Sequence, residues 1–194
     1  DIRTGASAGV AAKYLLKNNA KTAGIIGAGV QGRMNARAIA ENCPEIEEIK
    51  VSDIRWEAAL KCAEELNKEL RLKVTPVKTN EECCTVLSLG SFQELDENIP
   101  LTCDKLVVDS WEQNSHRGEL LKLVHEGKIT RENIHAEMPE IVLQKKAGRE
   151  NDEEIICACI IGMGSTDIGT AGILYNDVFK DMDLPAFAFR SYDK

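Results

Sequence analysis

A surplus of basic residues is missing from this sequence: 24 Lys and Arg stand against 32 Asp and Glu in 194 residues, a formal net charge of -8. That balance argues against a nucleic-acid or anionic-membrane surface, which needs cations to neutralise phosphates. No apolar run is long enough to cross a bilayer, and no signal peptide is visible. The seven cysteines include no C-x-x-C pair, and His116, His125 and His135 lack metal-ligand spacing. The cysteines sit inside apolar or helical patterns, so they read as buried, reduced thiols of a cytoplasmic protein, with a disulfide framework or a zinc site as the disfavoured alternatives. No metal is expected. Internal repeats and low-complexity segments are absent as well. What is present is a 43% hydrophobic fraction, enough for a packed core, which excludes global disorder. The length fits one domain, or one and a half. The chain opens at Asp1 without a methionine, which reads as a fragment, a processed chain or a chain lacking its N-terminal part.

Hydrophobic periodicity predicts a helix over Ala6–Asn18, a buried strand over Thr22–Ile26, a helix over Val30–Asn42, a strand over Glu48–Asp53, a helix over Trp56–Leu70 and a strand over Leu72–Val77. Such alternation is the signature of a parallel sheet covered by helices. A helix starts at Glu81 and is cut short near Cys84, and Thr85–Leu89 reads as a strand, so the fold is short by about one strand near 84–85. Further on come a strand (Lys105–Asp109), a helix (His116–Glu126), a loop and helix within Asn133–Lys146, a strand (Glu154–Ile161), a turn at Gly162–Ser165 and a final helix (Thr166–Met182).

Gly27-Ala28-Gly29-Val30-Gln31-Gly32 is a G-x-G-x-x-G sequence. The motif is weak alone, but here it follows a buried strand, opens a helix, and is followed by Asp53 at the end of the next strand, about 20 residues on. Gly27 permits a tight turn, Gly29 lets a backbone approach a pyrophosphate, and Gly32 lets the helix pack against the strand. The helix N-terminus offers N–H groups and the positive end of its dipole to phosphates. Asp53 can accept both hydroxyls of an adenosine ribose and would repel a 2′-phosphate, so NAD is favoured over NADP, a preference weakened by the nearby Arg55.

Arg3-Thr4-Gly5-Ala6, Ala11-Ala12-Lys13-Tyr14-Leu15 and the glycine turn together resemble the ornithine cyclodeaminase/mu-crystallin family, which includes archaeal-type alanine dehydrogenases and ketimine reductases. Lys105–Asp109, Ile134-His135-Ala136, Gly148–Ile155 and Gly162-Met163-Gly164 extend the resemblance along nearly the whole chain. The resemblance implies a doubly wound Rossmann-type α/β domain over 21–165. Residues 1–20 and 166–194 would then be helices of a largely absent substrate and dimerisation domain. It also implies a homodimer and hydride transfer at the α-carbon of a small amino acid or cyclic imine. Two alternatives are ornithine cyclodeaminase itself and a non-catalytic dinucleotide-binding protein.

Carried over by residue, the resemblance makes Arg3 the grip on a substrate α-carboxylate, which suits a planar guanidinium fork. It makes Thr4, Gly27, Ala28, Gly29, Val30, Gln31, Gly32, Asp53, Gly162 and Met163 cofactor contacts. Cyclodeaminases place an essential Asp just after the strand matching Val86–Gly90, where this chain has Ser91, followed by Glu94 and Asp96. Ser91, and Asp109 at the end of its strand, are the catalytic candidates. Glu94 and Asp96 read as surface or capping residues, and Ser165, Thr166 and Asp167 as an N-cap cluster.

Overall fold

Two parallel three-stranded sheets carry the architecture, in a computed structural model that describes residues 2–80, 95–180 and 182. The chain divides into two compact units, Asp1–Gly162 and Met163–Lys194. In the first unit, helix α1 (Ile2–Leu15) leads into strand β1 (Thr22–Ile26), helix α2 (Val30–Asn42), strand β2 (Glu48–Ser52), helix α3 (Trp56–Glu69) and strand β3 (Lys73–Pro76). The sheet order β1-β2-β3 follows the chain, with Ile25 beside Val51 and Ile49 beside Val74. β2 alternates: Ile49 and Val51 are fully buried, while Glu48 and Lys50 are not. Their buried face meets Ala36 and Ile39 of α2 and Cys62 and Leu66 of α3. Arg33–Glu65 (2.7 Å) and Arg37–Glu69 (2.7 Å) ion pairs join α2 to α3, so both helices cover the same side of the sheet.

The second sheet has the order β5-β4-β6, built from β4 (Lys105–Val108), β5 (Ile134–Glu137) and β6 (Ile156–Cys159). All four β4 residues are buried, as expected for a central parallel strand covered on both faces. Leu106 and Val108 face one apolar cluster with Leu120, Leu123, Cys157 and Cys159. Val107 faces the other, with Ala11, Leu15, Ala136 and Ala158. A register shift between Leu106 and Val107 leaves His135 as an extra residue in β5, which is why Ile134 and Ala136 serve opposite clusters. Helix α1 links the two halves, with Ala12 in the first sheet's core and Ala11 and Leu15 in the second's.

The fold corrects several boundaries. α1 begins at Ile2, not Ala6, because Gly5 is a packing position: a Cβ there would lie 2.9 Å from that of Met34 on α2. After α4 (Asn98–Thr102) and a short α5 (Trp111–Asn114), the helix predicted over His116–Glu126 shrinks to α6 (Leu121–His125); Gly118, at φ +80°, keeps it from starting earlier. Ile134–Glu137, read as loop, is a strand, and it leads into α7 (Met138–Val142), whose Glu137 and Glu140 form a capping box. The predicted segments at 81–89 lie outside the described residues. In the second unit, α8 (Gly164–Leu174) passes into a π-helical turn, Tyr175–Phe179. Its N-cap is Met163, so Ser165, Thr166 and Asp167 sit in the first turn rather than at the cap; Thr166 Oγ1 donates to the Met163 carbonyl at 2.5 Å. No helix among the described residues is long and apolar enough to cross a membrane.

Candidate dinucleotide and substrate site

The chain reverses from β1 into α2 at Gly27, whose φ of +99° is a conformation that side chains disfavour. A Cβ at Gly32 would collide with the Gly27 carbonyl oxygen, so the helix can start this close to the strand only with glycine at that position. Gly29 is different: it is the N-cap, in an extended conformation, and a Cβ there would meet nothing within 4 Å. That open space is what a diphosphate would need to reach the first turn of α2, where the N–H groups lie beyond the reach of intrahelical carbonyls.

Asp53 closes the turn from the side. Its Oδ2 accepts the Ala28 N–H at 2.8 Å and its Oδ1 the Arg55 N–H at 2.8 Å. These two backbone bonds, Arg55's first, hold the carboxyl below its ordinary range, so it is ionised at neutral pH. Arg55 Nε lies 3.7 Å from Oδ1 on a largely exposed side chain. The Gly27 N–H is spoken for by the Ser52 carbonyl at 2.8 Å. Arg33 braces the turn from within α2: one Nη1 donates to the Ala28 carbonyl, and Nε pairs with Glu65. Sequence reading missed Arg33, whose only signal was a cation directly after the third glycine. Taken together, an open Gly29, a helix N-terminus and an ionised acceptor at the tip of β2 fit a dinucleotide.

A second group forms around Gly162, beyond β6. Its N–H donates to Asp109 Oδ2 at 2.5 Å, and its carbonyl accepts from Arg117 Nη2 at 3.3 Å. A Cβ on Gly162 would run into the Arg3 guanidinium, which therefore lies directly against this turn. Asp109 is buried at the end of β4, and its Oδ1 also accepts the Ser110 N–H and Asn114 Nδ2, both at 2.9 Å. Asn114 and Arg117 carried no recognisable signal in the sequence.

α1 and α2 run parallel, with Gly5 against Met34 and Gly9 against Ala38. The N-terminal end of α1, with Arg3 and half-buried Thr4, thus lies at the end of α2 that bears the glycine turn. Asp53, Asp109 and Gly162 all follow the carboxyl ends of parallel strands, where open α/β sheets bind ligands. Val30 is exposed on the first turn of α2, beside Gln31. Met163 belongs to the second unit. Ser91 and Glu94 lie outside the described residues, and Asp96 accepts the Asn98 N–H at 2.9 Å at the start of α4. Among the described residues no three His, Cys, Asp or Glu side chains gather to hold a metal ion.

This fold and glycine turn define a Rossmann-type α/β protein. The chain belongs to the ornithine cyclodeaminase/mu-crystallin family, whose profile matches residues 1–87 and 88–181. It is similar to the Delta(1)-pyrroline-2-carboxylate reductase of Thermococcus litoralis, solved in complex with NADH and L-proline (34% identity, TM-score 0.80, covering 92% of this chain and 64% of that one). An archaeal alanine dehydrogenase, solved as a dimer with bound NAD, matches at 29% identity and a TM-score of 0.82 over 91% of this chain and 63% of that one. The ornithine cyclodeaminase of Agrobacterium tumefaciens is 42% identical over 95% of this chain and 60% of its own length. The chain thus spans about three-fifths of the length of these relatives.

Proposed function

We propose that this chain is the dinucleotide-binding part of an NAD-dependent oxidoreductase that acts on a small amino acid or cyclic imine. The carrying observation is the Asp53 carboxylate, tied to the glycine turn through Ala28 and ionised at the tip of β2. In this reading the turn residues Gly27–Gly32 and Thr4 hold the coenzyme, and Asp53 accepts the adenosine ribose hydroxyls and disfavours a 2′-phosphate. A nicotinamide held there would supply or accept hydride at the substrate α-carbon. Arg3 grips the α-carboxylate with its planar fork, and Gly162 borders the nicotinamide. Relatives named alanine dehydrogenase and pyrroline-2-carboxylate reductase support the substrate class.

We read residues 166–194 as belonging with a substrate and dimerisation domain, in a homodimer; residues 1–20, expected to do the same, pack instead with the sheets of the first unit. No residue of α8 is buried, and Ile168, Ile173 and Leu174 are exposed, which suits a helix that docks on further protein. A cytoplasmic location agrees with the free thiols that Cys43, Cys62, Cys103, Cys157 and Cys159 carry among the described residues. NADH titration followed by fluorescence tests the coenzyme reading, with saturable binding expected. Assays with a cyclic imine, or with a 2-oxo acid plus ammonia, should then consume NADH. The cyclodeaminase relative supports a second reading, in which ornithine yields proline and ammonia without net NADH change. An absence of NADH binding sinks both.

A further inference from the structure

We propose that Asp109 is a positioning residue for Arg3, acting through the backbone of Gly162. The inference rests on the reading of Arg3 as the carboxylate grip. Asp109 is 5% exposed, and its carboxylate is used by three donors. Ser110 N–H and Asn114 Nδ2, each at 2.9 Å, fix Oδ1, and the Gly162 N–H at 2.5 Å takes Oδ2. Asn114 is itself fully buried and anchored to the Ser110 carbonyl at 3.0 Å. The carboxylate is therefore a rigid post at the carboxyl end of β4.

What the post holds is the turn after β6. Gly162 sits at φ +100°, and its α-carbon forms the wall against which the Arg3 guanidinium lies. Arg117 takes the Gly162 carbonyl from the other side. Movement of this peptide moves the wall, and a displaced guanidinium loses the bidentate geometry that a carboxylate requires. Asp109 does this without touching substrate or coenzyme.

Asp109→Asn tests the idea in the full chain, since it conserves volume but turns an amide NH2 toward one of three existing donors. L-proline is the probe, read by its effect on the fluorescence of bound NADH, together with NADH affinity and thermal stability. The expected result is a loss of L-proline affinity of roughly 10- to 100-fold, with NADH affinity unchanged. In an Arg3→Lys background, where the fork is already gone, Asp109→Asn should add nothing further. Asn114→Ala, which loosens the same carboxylate, carries the same comparison if Asp109→Asn does not fold. An equal loss in both backgrounds, a parallel loss of NADH affinity, or no loss at all overturns the role of Asp109. If the unsubstituted chain ignores L-proline, or Arg3→Lys binds it as well as the unsubstituted chain, the carboxylate reading itself falls and takes this inference with it.

Discussion

The backbone N–H of Ala28 donates to Asp53 Oδ2 at 2.8 Å, so the glycine turn after β1 and the tip of β2 form one hydrogen-bonded unit. A turn whose shape depends on a neighbouring strand is held in place before any ligand arrives. That is the preorganisation a binding site needs, because a ligand then spends little of its affinity on ordering the loop.

Asp53→Ala removes both the ribose acceptor and the partner of the Ala28 N–H. Charge-assisted hydrogen bonds contribute about 1.5–3 kcal/mol each, so NADH affinity should fall roughly 10- to 100-fold. NADPH affinity should fall less or rise, because the repulsive carboxylate is gone. Parallel fluorescence titrations with the two coenzymes check this; an unchanged NADH affinity would remove Asp53 from the site.

Gly29→Ala and Gly32→Ala should separate binding from stability. The added methyl of Gly29→Ala enters open space, so melting should stay within about 0.5 kcal/mol of the parent while NADH binding weakens. The methyl of Gly32→Ala meets the Gly27 carbonyl and should cost about 1–3 kcal/mol of stability in denaturant melts. The reverse pattern would mean that the turn is built for packing alone.

Arg149 clamps the end of α1. Its Nε donates to the Leu15 carbonyl at 2.7 Å, and its Nη1 to the carbonyls of Glu154 at 2.7 Å and Asn151 at 3.0 Å. Arg149→Ala should cost about 2–3 kcal/mol, since it strips acceptors at a helix terminus. Arg149→Lys should rescue little, because an ammonium cannot span three carbonyls in a plane. Urea melts of the two variants would settle it, and a fully stable lysine variant would argue against the planar clamp.

Lys105, 9% exposed, pairs with Glu154 at 2.8 Å and Glu150 at 2.6 Å. The Lys105 hydrogen bond, first, holds the Glu154 carboxyl below its ordinary value of 4.5. A depressed folded value means stability that is present above 4.5 and lost as pH falls through the folded value. Glu154→Gln should therefore melt earlier than the parent at neutral pH, with the gap closing in acid. Lys105 moves the other way: burial, which would lower it, is outweighed by the two glutamates, so its contribution fades as pH rises beyond 10.5. Melting curves across the pH range check both limbs, and a gap that widens in acid would reverse the assignment.

Much of the first half was readable because its signals are local. Val30–Asn42 forms a helix at the predicted boundaries, and β1 and β2 fall within a residue of theirs, since an alternating or 3.6-residue pattern needs only near neighbours. The glycine turn and Asp53 were legible for the same reason. The helix expected over His116–Glu126 failed because Gly118 adopts a positive φ that propensity does not reveal. β5 was missed because Ile134–Glu137 spans only four residues, too short for its buried/half-buried alternation to stand out from a loop.

The sequence by itself determined the order of strands and helices as far as β3, the family, and the turn with its carboxylate, because each depends on spacing along a short stretch of chain. Only the tertiary structure decided that Arg3 lies against Gly162, that Asp109 holds that glycine, and that Arg149 clasps the end of α1. Those pairs are far apart along the chain. They meet because the parallel strands bring their carboxyl ends to one edge and α1 packs into the cores of both sheets, a geometry that no local pattern of residues encodes.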